Sequence, residues 1–174
     1  RTKSVAEGSN KGMERLRVWA KKGKAWAMTA LAGMYERGLG VKQSDKKTIE
    51  FYEMAAKRGN ATAQYMLGRC YEQGMHGLTR SPKRAVELYT LAAEQGYDSA
   101  QLNLGCVFAF GLGTKRSFSK AREWLTKAAA QGNENAINNL KILDNIEKSK
   151  TSTTPQEGVD PKTISCSTCG KPQT

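Results

Sequence analysis

One block of text recurs along this chain, and its spacing restricts the fold more than any other feature. Ala92-Ala93-Glu94-Gln95-Gly96-Tyr97-Asp98-Ser99-Ala100-Gln101-Leu102-Asn103-Leu104-Gly105 reads as a helix end, a glycine stop, a capping residue and a new helix. The same text stands upstream as Ala55-Ala56-Lys57-Arg58-Gly59-Asn60-Ala61-Thr62-Ala63-Gln64-Tyr65-Met66-Leu67-Gly68. Downstream it returns as Ala128-Ala129-Ala130-Gln131-Gly132-Asn133-Glu134-Asn135-Ala136, and a degraded copy, Ala20-Lys21-Lys22-Gly23-Lys24-Ala25, precedes all three. The glycines at 23, 59, 96 and 132 are 36, 37 and 36 residues apart. A fixed period of this length means stacked repeats of one small unit.

Two further landmarks keep the same period. Gly38-Leu39-Gly40, Gly74-Met75-His76-Gly77 and Gly111-Leu112-Gly113 recur in phase, and His76 is the extra residue that lengthens the middle repeat. The apolar positions Leu31, Leu67, Leu104 and Leu140 lie in register, as do Tyr35, Tyr71 and Phe108. Phe51-Tyr52, Leu88-Tyr89 and Trp124-Leu125 form a third matched series. Small residues let two helices approach, and the aromatic three positions on fills the remaining space. A lone helix pair cannot bury its apolar stripe, so neighbours must stack.

These residues resemble the Sel-1-like repeat family, relatives of the tetratricopeptide repeats. Residues 61–100 follow the family pattern of Ala, Leu-Gly, Tyr, Gly, Lys-Ala, Ala-Ala and Gly, and Gly38 to Val41 keep its Gly-Leu-Gly-Val form. Thr48, Ala32, Lys141 and Asp144 depart from it towards the ends. The resemblance covers residues 12–147. It implies an all-α fold, a right-handed superhelical solenoid of antiparallel helix pairs, and a scaffold rather than an enzyme. Family members with paired cysteines in each repeat are linked to β-lactam binding, and Cys70 and Cys106 lack that regular pairing.

Taken in order, residues 1–11 are polar and Gly/Ser/Lys-rich and read as a disordered basic lead-in. The repeat domain runs over 12–148, with helices expected at 13–22, 25–37, 45–58, 61–73, 82–95, 98–110, 119–131 and 134–148. Ser44 or Asp45, Asn60 and Ser81 are the expected caps, with Pro82 at a first helical position. Residues 149–164 read as a flexible linker leading to a tail, 165–174, that holds Cys166 and Cys169. A Cys-x-x-Cys turn aims two thiolates at one metal, which is half of a tetrahedral zinc site. The tail resembles the first half of a MYND-type zinc finger, which needs further ligands beyond Thr174 before it could hold zinc. The repeat domain itself calls for no cofactor.

Charge sets the alternative partner. The formal net charge of +12 is uneven: residues 1–24 carry eight Lys/Arg against two acids, and residues 98–133 five against two. Such patches suit nucleic acid or acidic lipid as well as acidic protein. No apolar run reaches the length of a membrane span. Buried, unpaired Cys70 and Cys106 fit an intracellular protein, cytoplasmic or nuclear. The single histidine, His76, reads as a solvated loop residue, and no nucleotide loop or nucleophile elbow appears.

The expected role is therefore a monomeric scaffold that binds a protein or peptide along its concave face. On the first helix of each pair, the side opposite Ala63, Leu67 and Tyr71 offers Thr62, Tyr65 and Arg69. In-register positions are Trp26, Thr29 and Arg37 before it, then Leu102 and Phe110 after it. Aromatic residues and arginines anchor interfaces, and arginine pairs with carboxylates. A nucleic-acid-associated module and a repeat-plus-finger adaptor are the alternatives.

Overall fold

The structure is a computed structural model that describes residues 2–151, with side chains from 11 to 148. The described residues form eight α-helices and no strand: α1 (Thr2–Lys21), α2 (Ala25–Arg37), α3 (Asp45–Lys57), α4 (Ala61–Gln73), α5 (Pro82–Glu94), α6 (Asp98–Phe110), α7 (Phe118–Ala130) and α8 (Glu134–Thr151). They fall into two compact units, Arg1–Ser81 with α1 to α4 and Pro82–Thr174 with α5 to α8. In the first unit α2 packs on α1 and α3, and α3 packs on α4. In the second, α6 packs on α5 and α7, and α7 packs on α8.

The recurring glycines end the second helix of each pair by one hydrogen-bond scheme. Gly59 N–H donates to the Ala56 carbonyl and Asn60 N–H to that of Ala55; Gly96 and Tyr97 do the same to Ala93 and Ala92. Gly132 and Asn133 repeat it, as do Gly23 and Lys24. These paired bonds satisfy carbonyls that the helix leaves open, and they require a left-handed residue, here glycine at φ 78° to 85°. The asparagines then start the next helix. Asn60 Oδ1 accepts from Ala63 N–H at 2.9 Å and Asn133 Oδ1 from Ala136 N–H at 3.1 Å. A change of such a cap to alanine costs about 1 kcal/mol.

Within a pair, the loop is pinned by a second recurring bond. Ser44, Ser81 and Ser117 donate their N–H to the carbonyls of Tyr35, Tyr71 and Phe108 at 3.1, 2.8 and 2.8 Å. Ser44 and Ser117 also cap α3 and α7 by accepting from Lys47 and Lys120 N–H. With Ser117 as its cap, α7 starts at Phe118, one residue before the expected 119.

The two ends differ from expectation. Residues read as a disordered lead-in belong, from Thr2 onward, to α1. No proline interrupts that stretch, and Gly8 and Gly12 each cost a helix only about 1 kcal/mol. At the other end α8 continues to Thr151, into the residues read as linker. Cys166 and Cys169 lie outside the described residues.

The core of the first unit is built from Ala27, Met28 and Leu31 of α2, Tyr52 and Ala55 of α3, and Ala63, Leu67 and Cys70 of α4. In the second, Leu102, Cys106 and Ala109 of α6 meet Ala121, Leu125 and Ala128 of α7 and Ala136 and Leu143 of α8. Gly105 lies so close to α7 that a Cβ there would stand 2.6 Å from Leu125 Cγ. Arg122 ties α7 to α8 through Asp144 at 2.5 Å and Glu147 at 2.7 Å. The polar turns of the last helix are thus engaged by a neighbouring side chain.

Candidate interaction surface

The first helices of the pairs carry the residues singled out from sequence, and their burial divides them. On α2, Trp26 is exposed by 53 % and Arg37 is also exposed. Arg37 Nε donates to the Gly33 carbonyl at 3.2 Å, which lays the side chain along its own helix. Thr29 is half-buried, and its hydroxyl donates to Asn60 Oδ1 at 3.0 Å, so it helps hold the joint between α3 and α4. On α4, Thr62 is exposed and Arg69 half-buried, and Arg69 Nε is buried with no hydrogen-bond acceptor.

The apolar strip expected from Tyr65, Leu102 and Phe110 is not presented. Tyr65 is 8 % exposed, Leu102 is 2 % exposed, and Phe110 is half-buried against the core of the second unit. For Leu102 and Phe110 the cause is the position of α6 between α5 and α7, with burial uninterrupted from Ala100 to Val107. A first helix held between second helices has no full polar face, so a register argument assigns core residues to the surface. The exposed candidates are Trp26, Arg37 and Thr62, with Arg69 half-exposed beside them.

A cluster in the first unit was not anticipated. Among the described residues His76 is the one non-glycine with positive φ, 54°. Its ring is 13 % exposed, with Nδ1 at 2.6 Å from Asp45 Oδ1 and Nε2 at 3.5 Å from Glu36 Oε1. The Tyr52 hydroxyl donates to the other Glu36 oxygen at 2.9 Å. Burial and the facing Glu36 carboxylate both push the Tyr52 phenol up. The Cys70 thiol is pushed up to about 12 by burial, then by Glu36, against the opposing effect of Arg69. Cys70 is therefore an inert, protonated thiol. His76 is a clasp between the loop after α4 and the ends of α2 and α3, not a solvated residue. The sequence signal was the single-residue insertion.

Among the described residues, no set of three or more His, Cys, Asp and Glu side chains is placed to hold a metal. No helix among them is long and apolar enough to cross a membrane.

The model for the Sel1 repeat matches residues 27–60, 61–97 and 98–133, which are the pairs α2–α3, α4–α5 and α6–α7. The chain belongs to the Sel1 repeat family. A crystal structure of a Sel1 repeat protein from Oxalobacter formigenes is similar at 35% identity and TM-score 0.72, over 75% of this chain and 97% of that one. The uropathogenic Escherichia coli protective antigen c5321, which displays the same repeat fold, is similar at 24% identity and TM-score 0.75. That match covers 84% of this chain and 31% of the antigen, and it speaks to the fold alone. No curated protein matches the chain by sequence. Sel1 repeat proteins are in general protein-interaction scaffolds, typically without catalysis.

Proposed function

We propose that this chain is a non-catalytic adaptor that binds an acidic peptide or protein segment along the first helices of its repeats. One observation carries the reading. Arg69 on α4 is half-exposed and its Nε has no acceptor, and Arg37 is exposed at the end of α2. A guanidinium that the protein leaves incompletely bonded is suited to a carboxylate from outside. Trp26 and Thr62 supply exposed area on the same two helices.

The test is a fluorescence-polarisation screen of labelled peptides carrying Asp, Glu or a free C-terminal carboxylate. Arg69→Ala and Arg37→Ala should each weaken the best peptide by about tenfold, as loss of one charge-assisted pair implies. Lys57→Ala, at an exposed site on α3, should leave it unchanged. If both arginine variants bind as the parent does, this surface is not the site. The nucleic-acid reading rests on the uneven basic charge, and it requires binding that falls steeply with added salt. The repeat-plus-finger adaptor rests on the spacing of Cys166 and Cys169, with zinc supplied only if further ligands complete that half-site.

A further inference from the structure

In the first unit the loop inside the pair α2–α3 sets an apolar residue between two glycines and follows it with cations. It reads Gly38-Leu39-Gly40-Val41-Lys42, with Lys46 and Lys47 in the first turn of α3. The loop is fixed at both ends: Leu39 N–H donates to the Met34 carbonyl at 2.9 Å, and Ser44 N–H to that of Tyr35 at 3.1 Å. Gly38 and Gly40, at φ 68° and 70°, turn the chain there. Leu39 is exposed by 48 % at this fixed tip. The loop lies inside the stack, since α2 packs on both α1 and α3, and the His76 ring of the following loop reaches Asp45 at 2.6 Å. The exposure of Leu39 is a property of the loop itself.

The surroundings of Leu39 are cationic. Residues 38–47 carry three lysines against one acid, and the following loop, residues 74–81, carries one arginine against none. Lys42, Lys46, Lys47 and Arg80 are all exposed. His76 joins the two loops, so these cations share one end of the unit. The acids there are engaged: Asp45 faces His76, and Glu36 accepts from the Tyr52 hydroxyl at 2.9 Å with His76 Nε2 at 3.5 Å from its other oxygen. The fold gains nothing from the Lys46 charge, which stands where the helix dipole disfavours a cation.

The aromatic side chain at this end is not offered to a base. Tyr35 is 5 % exposed and stacked on Phe51 with ring centroids 5.7 Å apart, and the Lys47 ammonium lies 4.8 Å from its centroid. A nucleic-acid backbone would meet the lysines and leave Leu39 in water. An anionic bilayer uses both features, because its headgroups take cations and the acyl boundary beneath them takes an apolar side chain. We infer that this loop end of the first unit docks on an anionic lipid surface. Leu39 enters the acyl boundary, and Lys42, Lys46 and Arg80 lie among the lipid phosphates and carboxylates. One leucine and a few cations make the attachment reversible.

The probe is a vesicle of phosphatidylcholine, with or without about one-third phosphatidylserine, sedimented with the full chain. The chain should go down with the anionic vesicles and stay in solution with the neutral ones, and added salt should release it. Lys42→Glu combined with Lys46→Glu should weaken binding by at least about tenfold, since each cation near such a surface is worth about fivefold. Leu39→Ser should weaken it several-fold. Leu39→Trp should tighten it with helix content unchanged, a gain that a merely structural leucine would not give. Lys57→Glu, at the other end of α3, should matter far less. Arg69→Ala should have no effect, which separates this surface from the peptide site proposed above. Three outcomes overturn the inference: no sedimentation with anionic vesicles, sedimentation indifferent to the lysine and Leu39 variants, or a DNA duplex or acidic peptide held through Lys42 and Lys46 while vesicles are not.

Discussion

Glycine-to-alanine exchange should have opposite signs at two helical glycines of this chain. A Cβ at Gly105 would stand 2.6 Å from Leu125 Cγ, 2.8 Å from Leu125 Cδ2 and 3.3 Å from the Ala121 carbonyl oxygen. Carbon atoms prefer about 3.5–4.0 Å, so Leu125, which is fully buried, must retreat by about 1 Å. Forcing one methyl into a packed core costs about 1–3 kcal/mol. The gain in helix propensity returns about 1 kcal/mol. Gly105→Ala is therefore expected to destabilise by about 1 kcal/mol. At Gly12 nothing lies within 4 Å, and Gly12→Ala should stabilise by up to about 1 kcal/mol. The assay is urea unfolding followed by circular dichroism, with Leu125→Ala as a second background. Leu125→Ala alone should cost about 2–5 kcal/mol. With the clashing atoms gone, Gly105→Ala should become stabilising, and the coupling should exceed about 1 kcal/mol. A Gly105→Ala protein at least as stable as the parent in both backgrounds would refute the close-approach argument.

Other outcomes follow from the same structure. Stability should fall as pH rises from about 9 to about 12, because the Cys70 thiol and Tyr52 phenol are both held above their ordinary values. The sign is that of groups whose neutral forms the fold favours: stability is full below the unfolded pKa and lost towards the folded one. Melting temperature against pH should show a shallower alkaline decline in Cys70→Ala. Native Cys70 and Cys106 should resist a thiol reagent and react only on unfolding, since both are buried. His76→Ala should lose its hydrogen bond to Asp45 and cost about 1 kcal/mol. His76→Gly should cost less, since glycine relieves the positive φ, and equal melting temperatures for the two would argue against that strain. Asn60→Ala should cost more than an ordinary cap, because Asn60 also accepts from Thr29, and a Thr29→Val variant should recover that difference.

The pairs of helices were legible because their punctuation is local. A glycine stop followed by asparagine, or serine before a helix, satisfies backbone groups only a few residues away, so Gly59-Asn60 and Gly132-Asn133 declare themselves in the text. Burial was less legible. Tyr65 and Leu102 share the register of half-buried Thr29, and α6, enclosed between α5 and α7, buries nearly every side. The His76 clasp depends on partners 31 and 40 residues earlier, and no periodic pattern reports a contact made by an inserted residue. The amide of Gln64 donating to the Ala56 carbonyl, repeated by Gln101 to Ala93, stood in the recurring text as Ala-Gln. Its role appears only once the helix ends are placed.

The shared joint after each second helix has a consequence for how such a chain can change length. Gly23-Lys24, Gly59-Asn60, Gly96-Tyr97 and Gly132-Asn133 turn the backbone through the same bonded geometry, whichever residue follows the glycine. A segment cut at one joint and rejoined at another meets a matching junction. Whole copies can be duplicated or lost in single genetic events without redesign of the ends, whereas a partial copy would leave a helix without its stop. The loop that admits His76 is the exception, a place where the text gained one letter and kept its grammar.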